Sequence, residues 1–155
     1  QFAHLPKTYI ANLHLGATSD TFDSTGTIIE NPQAQPVDLE KIKGVLKKFI
    51  GVQDQLPPMF SAKKINGQRL YKLARKGREV KREPSQITIF DIRLLNYSYP
   101  KLNIEVNSSA GTYIRTLCDD IGRELGLGAY CSDLRRTKIG DYNIEQAIKI
   151  KNNTD

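Results

Sequence analysis

Two chemically reactive side chains stand two positions apart in the segment GTYIRTL, residues 111–117. The phenol of Tyr113 can exchange a proton or stack on a planar ligand, and the guanidinium of Arg115 can bind a carboxylate or a phosphate. Arg115 lies in an otherwise apolar run, where a guanidinium is tolerated only when an anion pairs with it and its donors are satisfied. The sequence therefore predicts an anionic partner for Arg115 and leaves its identity open.

The spacing of these residues allows two interpretations. If the segment is extended, Tyr113 and Arg115 point to the same face, because side chains alternate along a strand. If it is helical, Asp119 lies one turn after Arg115, and a surface ion pair between them would contribute about 0.3–0.5 kcal/mol. The alternative is a pocket in which the phenol acts as acid, base or stacking group and the guanidinium fixes a carboxylate. Spacing alone does not choose between them.

The positive charge of the chain is concentrated in one segment. The 155 residues carry a net charge of +6, and nine of the 23 Lys and Arg but only two of the 17 Asp and Glu lie between Lys63 and Glu83. Such a concentration predicts a surface that contacts a phosphate backbone. A solvated, lysine-rich helix face is the alternative.

The overall composition is that of one globular domain with a core, at 39% hydrophobic and 26% charged residues. No apolar run is long enough for a transmembrane helix, and the first residues do not have the pattern of a signal peptide. The two cysteines, Cys118 and Cys131, belong to no Cys/His cluster. We therefore expect no zinc site and no membrane association, and a reducing cytoplasmic location.

The first third of the chain predicts strand, turn and helix in that order. The segment 7–15 alternates apolar and polar residues and predicts a strand, and a turn follows, leading to a short strand over 26–30. Apolar residues at helical spacing then begin after Asp38, a residue type typical of an N-cap, and stop before Gly51. Asp20 and Asp23 in the turn could form a metal or catalytic pair, but the preference of aspartate for turns favours a structural role.

The remainder predicts an extended start, a hairpin, a further strand and three further helices. Two prolines keep residues 57–58 extended, and Asn66-Gly67 is typical of a turn. The later elements are, in order, a short basic helix from Gln68 to Gly77, strands over 86–99 and 101–109, a helix with the apolar stripe Ile114, Leu117, Cys118, Ile121 and Leu125, a strand over 130–140, and a helix over 143–150. Neighbouring strands mixed with helices predict an α+β domain built on a largely antiparallel sheet.

Four separated blocks, in the family's order and with similar spacing, resemble the bacterial TruB family of tRNA pseudouridine synthases. The blocks are KTYIANLHLGATSDTFDSTG, LPPMFSAKKINGQRLYKLARKG, GTYIRTLCDDIGRELG and LRRTKIG, and together they extend over nearly all of the chain. Each block alone is suggestive, and their combination is specific.

The resemblance implies a fold and a reaction. The fold is a mixed, mostly antiparallel sheet flanked by helices and loops, of which residues 1–155 would be the C-terminal two-thirds of the catalytic domain, with a basic thumb insertion at about 57–85. The reaction is the isomerisation of the T-loop uridine of tRNA to pseudouridine, without metal or organic cofactor. It requires the base to be flipped out of its loop into a closed pocket.

The resemblance also implies roles for four residues around the base. Tyr9 matches the tyrosine that stacks on the flipped base, and Tyr113 the tyrosine near C5, a candidate for removing its proton. Arg115 matches the arginine that pairs with the catalytic aspartate and would keep that carboxylate ionised. Leu134 matches a pocket-wall leucine that excludes water. Core packing is the alternative role for Tyr9 and Leu134.

The basic segment matches the thumb, which closes on the tRNA hairpin in this family. Its candidate phosphate contacts are Lys63, Lys64, Arg69, Lys72, Arg75, Lys76 and Arg78. Because such contacts release counterions, we expect the affinity for RNA to fall steeply with salt.

One part of the family pattern does not occur in the chain. The catalytic aspartate of the family stands in a G-x-L-D-P-x-A-type motif upstream of the KTY strand, whereas Asp20, Asp23, Asp119 and Asp120 belong to other blocks. We expect the aspartate to come from a missing N-terminal segment and the isolated chain to be inactive. The alternative is a non-catalytic tRNA-hairpin-binding module or RNA chaperone, and a basic structural protein of an RNA assembly is less well supported.

Overall fold

The chain is described by a computed structural model over residues 3–58, 64–65, 68–69 and 82–145. Within those residues ten strands and two helices form. They are β1 Lys7–Leu15, β2 Ala17–Ser19, β3 Ile28–Glu30, α1 Leu39–Lys48, β4 Gly51–Gln55, β5 Lys64–Ile65, β6 Gln68–Arg69, β7 Ser85–Ser98, β8 Lys101–Ser108, α2 Ile114–Leu125, β9 Ala129–Ile139 and β10 Tyr142–Asn143.

Six strands form the central sheet, in the spatial order β10-β9-β1-β8-β7-β4. Every pairing between them is antiparallel. Two small hairpins, β2 with β3 and β5 with β6, form separate two-stranded sheets. The architecture is α+β with a mostly antiparallel sheet, which confirms the predicted fold class.

The core lies between one face of the sheet and the two helices. On β1 the residues Ala11, Leu13 and Leu15 are buried, as the alternation of KTYIANLHL predicts. All five residues of the predicted stripe on α2 are buried as well, and α1 packs against α2 and β7. Burying these apolar surfaces together is the main favourable contribution to folding.

Helix α1 begins where the sequence predicts. Asp38 is its N-cap, and its side chain accepts a hydrogen bond of 2.8 Å from the backbone N–H of Lys41. The helix ends at Lys48 with Phe49 as its C-cap, and Gly51 already begins β4.

Three predicted elements differ from the structure. The short strand predicted at 26–30 is β3, and it forms a hairpin with β2. The sequence did not predict β2, because its three residues are too few for a periodic signal. Gln68 and Arg69 pair with β5 as a strand, so a helix starting at Gln68 is wrong; residues 70–81 lie outside the described part. Of the predicted terminal helix, Ile144 and Glu145 are helical, and residues 146–155 lie outside the described part.

Helix α2 is seated on β9 through a glycine. A Cβ added to Gly122 would lie 2.2 Å from the backbone nitrogen of Ala129, so only glycine permits this approach. The helix ends at Gly126, whose left-handed φ of 78° lets its N–H donate to the carbonyl of Arg123. This close packing fixes the distance of α2, and therefore of its first turn, from the sheet.

Candidate active site

A cavity of about 280 Å³ opens at the N-terminal end of α2. It is lined by Tyr9, Pro58, Thr112, Tyr113, Ile114, Arg115 and Leu134. The four residues that the resemblance assigns to the base and its chemistry therefore lie on one cavity, although they come from three separated blocks.

Tyr113 is held at the mouth of α2 by a glutamine from β4. Tyr113 is the N-cap of the helix, in an extended conformation, and Arg115 is the second residue of the helix. The side chain of Gln55 is buried; its Oε1 accepts from the Tyr113 N–H at 2.8 Å and its Nε2 donates to the Tyr113 carbonyl at 3.1 Å. This pair of bonds fixes the backbone from which the phenol projects.

Two irregularities in β9 bring Leu134 to the cavity. The register of β9 against β1 shifts between Asn12 and Leu13 and again between Thr8 and Tyr9. Cys131 and Leu134 are three residues apart and would face opposite sides of a regular strand, but the first shift turns both toward the core. Leu134 thus packs against the core and forms a cavity wall, so both of its predicted roles describe the same position.

Arg115 forms an ion pair with Asp23. Its Nε lies 3.1 Å from Asp23 Oδ2, and the side chains are 46% and 22% exposed. The other carboxylate oxygen of Asp23 accepts three bonds within the turn, from Thr21 Oγ1 at 2.7 Å, Thr25 N at 3.0 Å and Thr25 Oγ1 at 2.7 Å. Burial alone would raise the pKa of Asp23, but these bonds and the charge of Arg115 outweigh it and lower the pKa.

The ion pair between Arg115 and Asp119 that helix spacing allows does not form. Asp119 instead pairs with Arg123 one turn later, at 2.8 Å between Oδ2 and Nε. Burial raises the pKa of Asp119 despite this partner, and burial together with the charge of Asp119 raises the pKa of Asp120. These two carboxylates line a different cavity, of about 450 Å³.

The turn that carries Asp23 is fastened to β9. The N–H of Cys131 donates to the carbonyl of Phe22 at 2.8 Å, and Asp23 and Cys131 form an isolated bridge. Asp20 also has a structural role, because its Oδ1 accepts from the N–H of Thr27 at 2.8 Å. Both aspartates thus form the turn bonds that the predicted structural role requires, and Asp23 in addition binds the arginine.

The two cysteines are free, buried and adjacent beneath this ion pair. A hydrogen bond between their thiols, together with burial, raises the pKa of Cys118, and the same bond lowers the pKa of Cys131. Cys131 also lines a second cavity of about 170 Å³, which Asp23, Arg115 and Leu134 share.

The basic segment emerges next to the cavity. Arg82, near the end of this segment, donates from Nη1 to the carbonyl of Pro57 at 2.8 Å, so it lies beside the predicted start of the thumb. Of its candidate phosphate contacts, Lys64 belongs to β5 and Arg69 to β6. Lys63, Lys72, Arg75, Lys76 and Arg78 lie outside the described residues.

Metal-ligand clusters and membrane-spanning helices do not occur among the described residues. Over those parts of the chain, no three His, Cys, Asp or Glu side chains are grouped so that they could hold a metal ion. No helix there is long and apolar enough to cross a membrane.

Two residues of this site escape the sequence patterns. Gln55 stands in VQDQLPP, where nothing in the local pattern separates it from Gln53. The sequence places Asp23 in the turn only, because a contact with a distant helix leaves no periodic signal. The requirement for an anion at Arg115 was the signal that could have led to Asp23.

Comparison with known proteins gives the same family for the whole chain. The family described as TruB family pseudouridylate synthase (N terminal domain) matches residues 1–114, and the tRNA pseudouridylate synthase B C-terminal domain matches residues 115–155. The boundary between the two falls inside GTYIRTL. Both therefore contribute residues to the cavity.

Curated relatives are named tRNA pseudouridine synthase B. The chain is 43% identical to that of Syntrophotalea carbinolica over 94% of this chain and 47% of the relative, and 48% identical to that of Syntrophomonas wolfei over 93% and 49%. It is 40% identical to that of Aquifex aeolicus over 97% and 53%. The chain thus spans about half the length of the curated relatives it matches.

Solved structures show the same fold. The crystal structure of a Cbf5-Nop10-Gar1 complex contains a chain that matches with a TM-score of 0.65 and 29% identity, over 92% of this chain and 32% of that chain. A structure of H/ACA RNP bound to a substrate RNA containing 2′-deoxyuridine matches with a TM-score of 0.60 and 24% identity, over 92% and 31%. At that identity the second match supports the fold alone.

Proposed function

Because the chain belongs to the TruB family of pseudouridylate synthases, we propose that it forms the base-holding and RNA-binding part of a cytoplasmic isomerase that converts the T-loop uridine of tRNA to pseudouridine. In this proposal residues 1–155 are the C-terminal two-thirds of the catalytic domain and residues 57–85 are its thumb. The observation that carries it is the meeting of Tyr9, Tyr113, Arg115 and Leu134 on one cavity.

The reaction exchanges one bond at the ribose and needs no added redox partner. The bond from C1′ to N1 breaks, the uracil turns while it is held, and a bond from C1′ to C5 forms. The proton that C5 loses is balanced by the proton that N1 gains. A site for this isomerisation must hold the base, exclude water and remove a proton near C5.

The cavity supplies these functions with groups from the sheet and from the start of α2. Tyr9 offers a ring on which the uracil stacks, and Leu134 covers the base from β9 and excludes water. The phenol of Tyr113 takes the C5 proton after the base has turned. The clamp by Gln55 holds that phenol in place while the base moves.

Arg115 holds a catalytic carboxylate that comes from outside these 155 residues. None of the described residues that line the cavity of Tyr9 is an aspartate or glutamate. Asp23 engages Nε of Arg115, and a guanidinium has further N–H donors with which it binds a second carboxylate in this proposal. Asp23 is therefore the residue that orients Arg115, and the incoming aspartate is the one that meets the ribose.

Turnover by the isolated chain tests this division of roles. We expect the 155-residue chain to bind an RNA hairpin with the sequence of a tRNA T arm but to release no tritium from tRNA labelled at C5 of uridine. A longer polypeptide that adds an upstream G-x-L-D-P motif should release it. Turnover by the chain alone would overturn the external carboxylate and make Asp23 the catalytic candidate.

A non-catalytic tRNA-hairpin-binding module is the second candidate, and the charge concentrated in residues 63–83 favours it. It predicts hairpin binding that is unaffected by changes at Tyr113, and no turnover by any longer polypeptide. The two candidates therefore differ in the tritium assay with the upstream motif present.

A further inference from the structure

A cation outside the basic segment lies beside the cavity. Arg136 on β9 is the register partner of Tyr9 on β1. Partners in an antiparallel pair have Cα atoms about 5 Å apart, and their side chains project to the same face of the sheet. Arg136 therefore stands directly beside the tyrosine that forms one wall of the cavity.

The second irregularity of β9 produces this placement. The register shift between Thr8 and Tyr9 leaves an extra residue on β9, so Arg136 and Ile139 both face the side of Tyr9 although an odd number of positions, three, lies from one to the other. Arg136 also shares that side with Leu134, two residues before it. The strand thus places the cavity-wall residue Leu134 and the cation Arg136 on the same face of the sheet.

A second cation adjoins the first. Lys7 lies two residues before Tyr9 on β1 and so on the same face. The Nζ of Lys7 donates to the carbonyl of Leu5 at 2.7 Å, and burial and the charge of Arg136 both lower the pKa of Lys7. Among the described residues, no carboxylate lies within ion-pair distance of Arg136, which is exposed to solvent.

We propose that Arg136, with Lys7 beside it, binds the backbone phosphate next to the nucleotide whose base enters the cavity. The inference rests on the proposed function, which places the base against Tyr9. A base that leaves its loop takes its ribose only as far as the cavity edge, so the flanking phosphates stay outside, beside Tyr9. A guanidinium at that edge binds a phosphate with two parallel N–H donors, which fixes the ribose above the cavity.

The neighbouring arginine provides a matched control. Arg135 pairs with Ile10 and therefore projects to the opposite face of the sheet. It is also exposed, so Arg135→Gln and Arg136→Gln make the same change in charge one residue apart. Only the second should affect a phosphate beside Tyr9.

The test combines these variants of the 155-residue chain with modified RNA. T-arm hairpins carry a single uncharged methylphosphonate linkage either 5′ or 3′ of the target uridine. Binding is measured by fluorescence anisotropy, and thermal unfolding confirms that the variants remain folded. We expect Arg136→Gln to weaken binding of the unmodified hairpin about tenfold. One of the two methylphosphonates should weaken binding of the unchanged chain by the same factor. Combined, they should weaken it no more than either alone.

Four outcomes would contradict these expectations. If Arg136→Gln binds like Arg135→Gln, or if both methylphosphonates bind like the unmodified hairpin, the phosphate site is wrong and the proposed function stands. Losses that multiply show that Arg136 binds elsewhere on the RNA, which also overturns the site. If the unchanged chain does not bind the hairpin at all, the proposed function fails, and this inference fails with it.

Discussion

Asp23 Oδ2 lies 3.1 Å from Arg115 Nε, in a contact that joins the β2–β3 turn to the first turn of α2. The other oxygen of the same carboxylate holds the turn together through Thr21 and Thr25. Because one oxygen fixes the carboxylate and the other binds the arginine, the direction of the guanidinium is set before any substrate arrives. In the proposed function, this arrangement preorganises the charge of Arg115 for the catalytic carboxylate.

Removing the charge of Asp23 should destabilise the chain in a pH-dependent way. The folded state lowers the pKa of this carboxyl, so its contribution is complete above the unfolded value of about 3.9 and is lost as the pH falls through the folded value. We expect Asp23→Asn to reduce the free energy of unfolding by about 1–2 kcal/mol at neutral pH. Urea unfolding of both proteins should show this difference vanishing in acid.

Asp141 provides the control for that measurement. It is exposed in the turn before β10, and the same change there should alter the free energy of unfolding by less than about 0.5 kcal/mol at any pH. A deficit of Asp23→Asn that persists unchanged in strong acid would show that the interactions of this side chain do not depend on its ionisation.

The Arg115 side chain should matter for turnover more than for RNA binding. In a polypeptide that turns over tRNA, Arg115→Met removes the group proposed to hold the catalytic carboxylate, and we expect kcat to fall at least about a hundredfold. The dissociation constant for tRNA should change less than about threefold. Tritium release and filter binding measure the two quantities.

Arg123 is the matched control on the same helix. It pairs with Asp119 and does not line the cavity of Tyr9, so Arg123→Met should leave kcat within about twofold. Equal losses of turnover and binding in Arg115→Met would contradict its proposed role and point to a contact with RNA.

The Gln55 amide should be needed for the position of Tyr113. Gln55→Glu keeps an acceptor for the Tyr113 N–H but cannot donate to the Tyr113 carbonyl, so we expect kcat to fall about tenfold with little change in KM. Gln53→Glu removes a similar bond to the carbonyl of Phe49, away from the cavity, and should leave kcat unchanged. A lower kcat in both variants would indicate a general effect on β4.

The parts of the fold that follow from local periodicity were predictable, and the contacts between distant segments were not. The stripe on α2 and the alternation on β1 each repeat within a few residues, so the sequence shows which face is buried. For Arg115 the local pattern offers Asp119, one turn away. Asp23 is the partner because the β2–β3 turn is fastened to β9, beside the helix, by a backbone bond that has no side-chain signature.

The resemblance supplied what periodicity could not. Tyr9, Tyr113 and Leu134 have no common spacing, and each could serve as a core residue by pattern alone. Their meeting on one cavity depends on the register shift in β9 and on the seat of α2, and both are set by tertiary packing. Gln55 was missed for the same reason, since its two bonds reach a residue on another element.

Neutralising the basic segment should change how RNA binding depends on salt. Replacing two or three of the candidate lysines and arginines between residues 63 and 82 with alanine leaves the phosphates that they bind without a cation. The slope of log affinity against log salt should then become shallower by about one unit for each such phosphate. Anisotropy titrations of a T-arm hairpin at several salt concentrations measure this slope. A weaker affinity with an unchanged slope would show that the segment does not meet phosphate.

Of the glycines in the described helices, Gly122, where α2 packs on β9, should tolerate substitution least. A methyl group on Gly122 would lie 2.2 Å from the backbone nitrogen and 2.5 Å from the Cβ of Ala129, so α2 must move away from β9 to admit it. We expect Gly122→Ala to reduce the free energy of unfolding by about 1–3 kcal/mol, as at other overpacked sites. Gly44 on α1 has nothing within 4 Å of an added Cβ, so Gly44→Ala should instead stabilise by about 0.5–1 kcal/mol through helix propensity. Urea unfolding of the two variants gives both values, and equal effects at the two sites would mean that the contact between α2 and β9 is not tight. The displaced helix also carries Arg115. Gly122→Ala should therefore also reduce the part of the stability that is lost at low pH through the ion pair of Arg115 with Asp23.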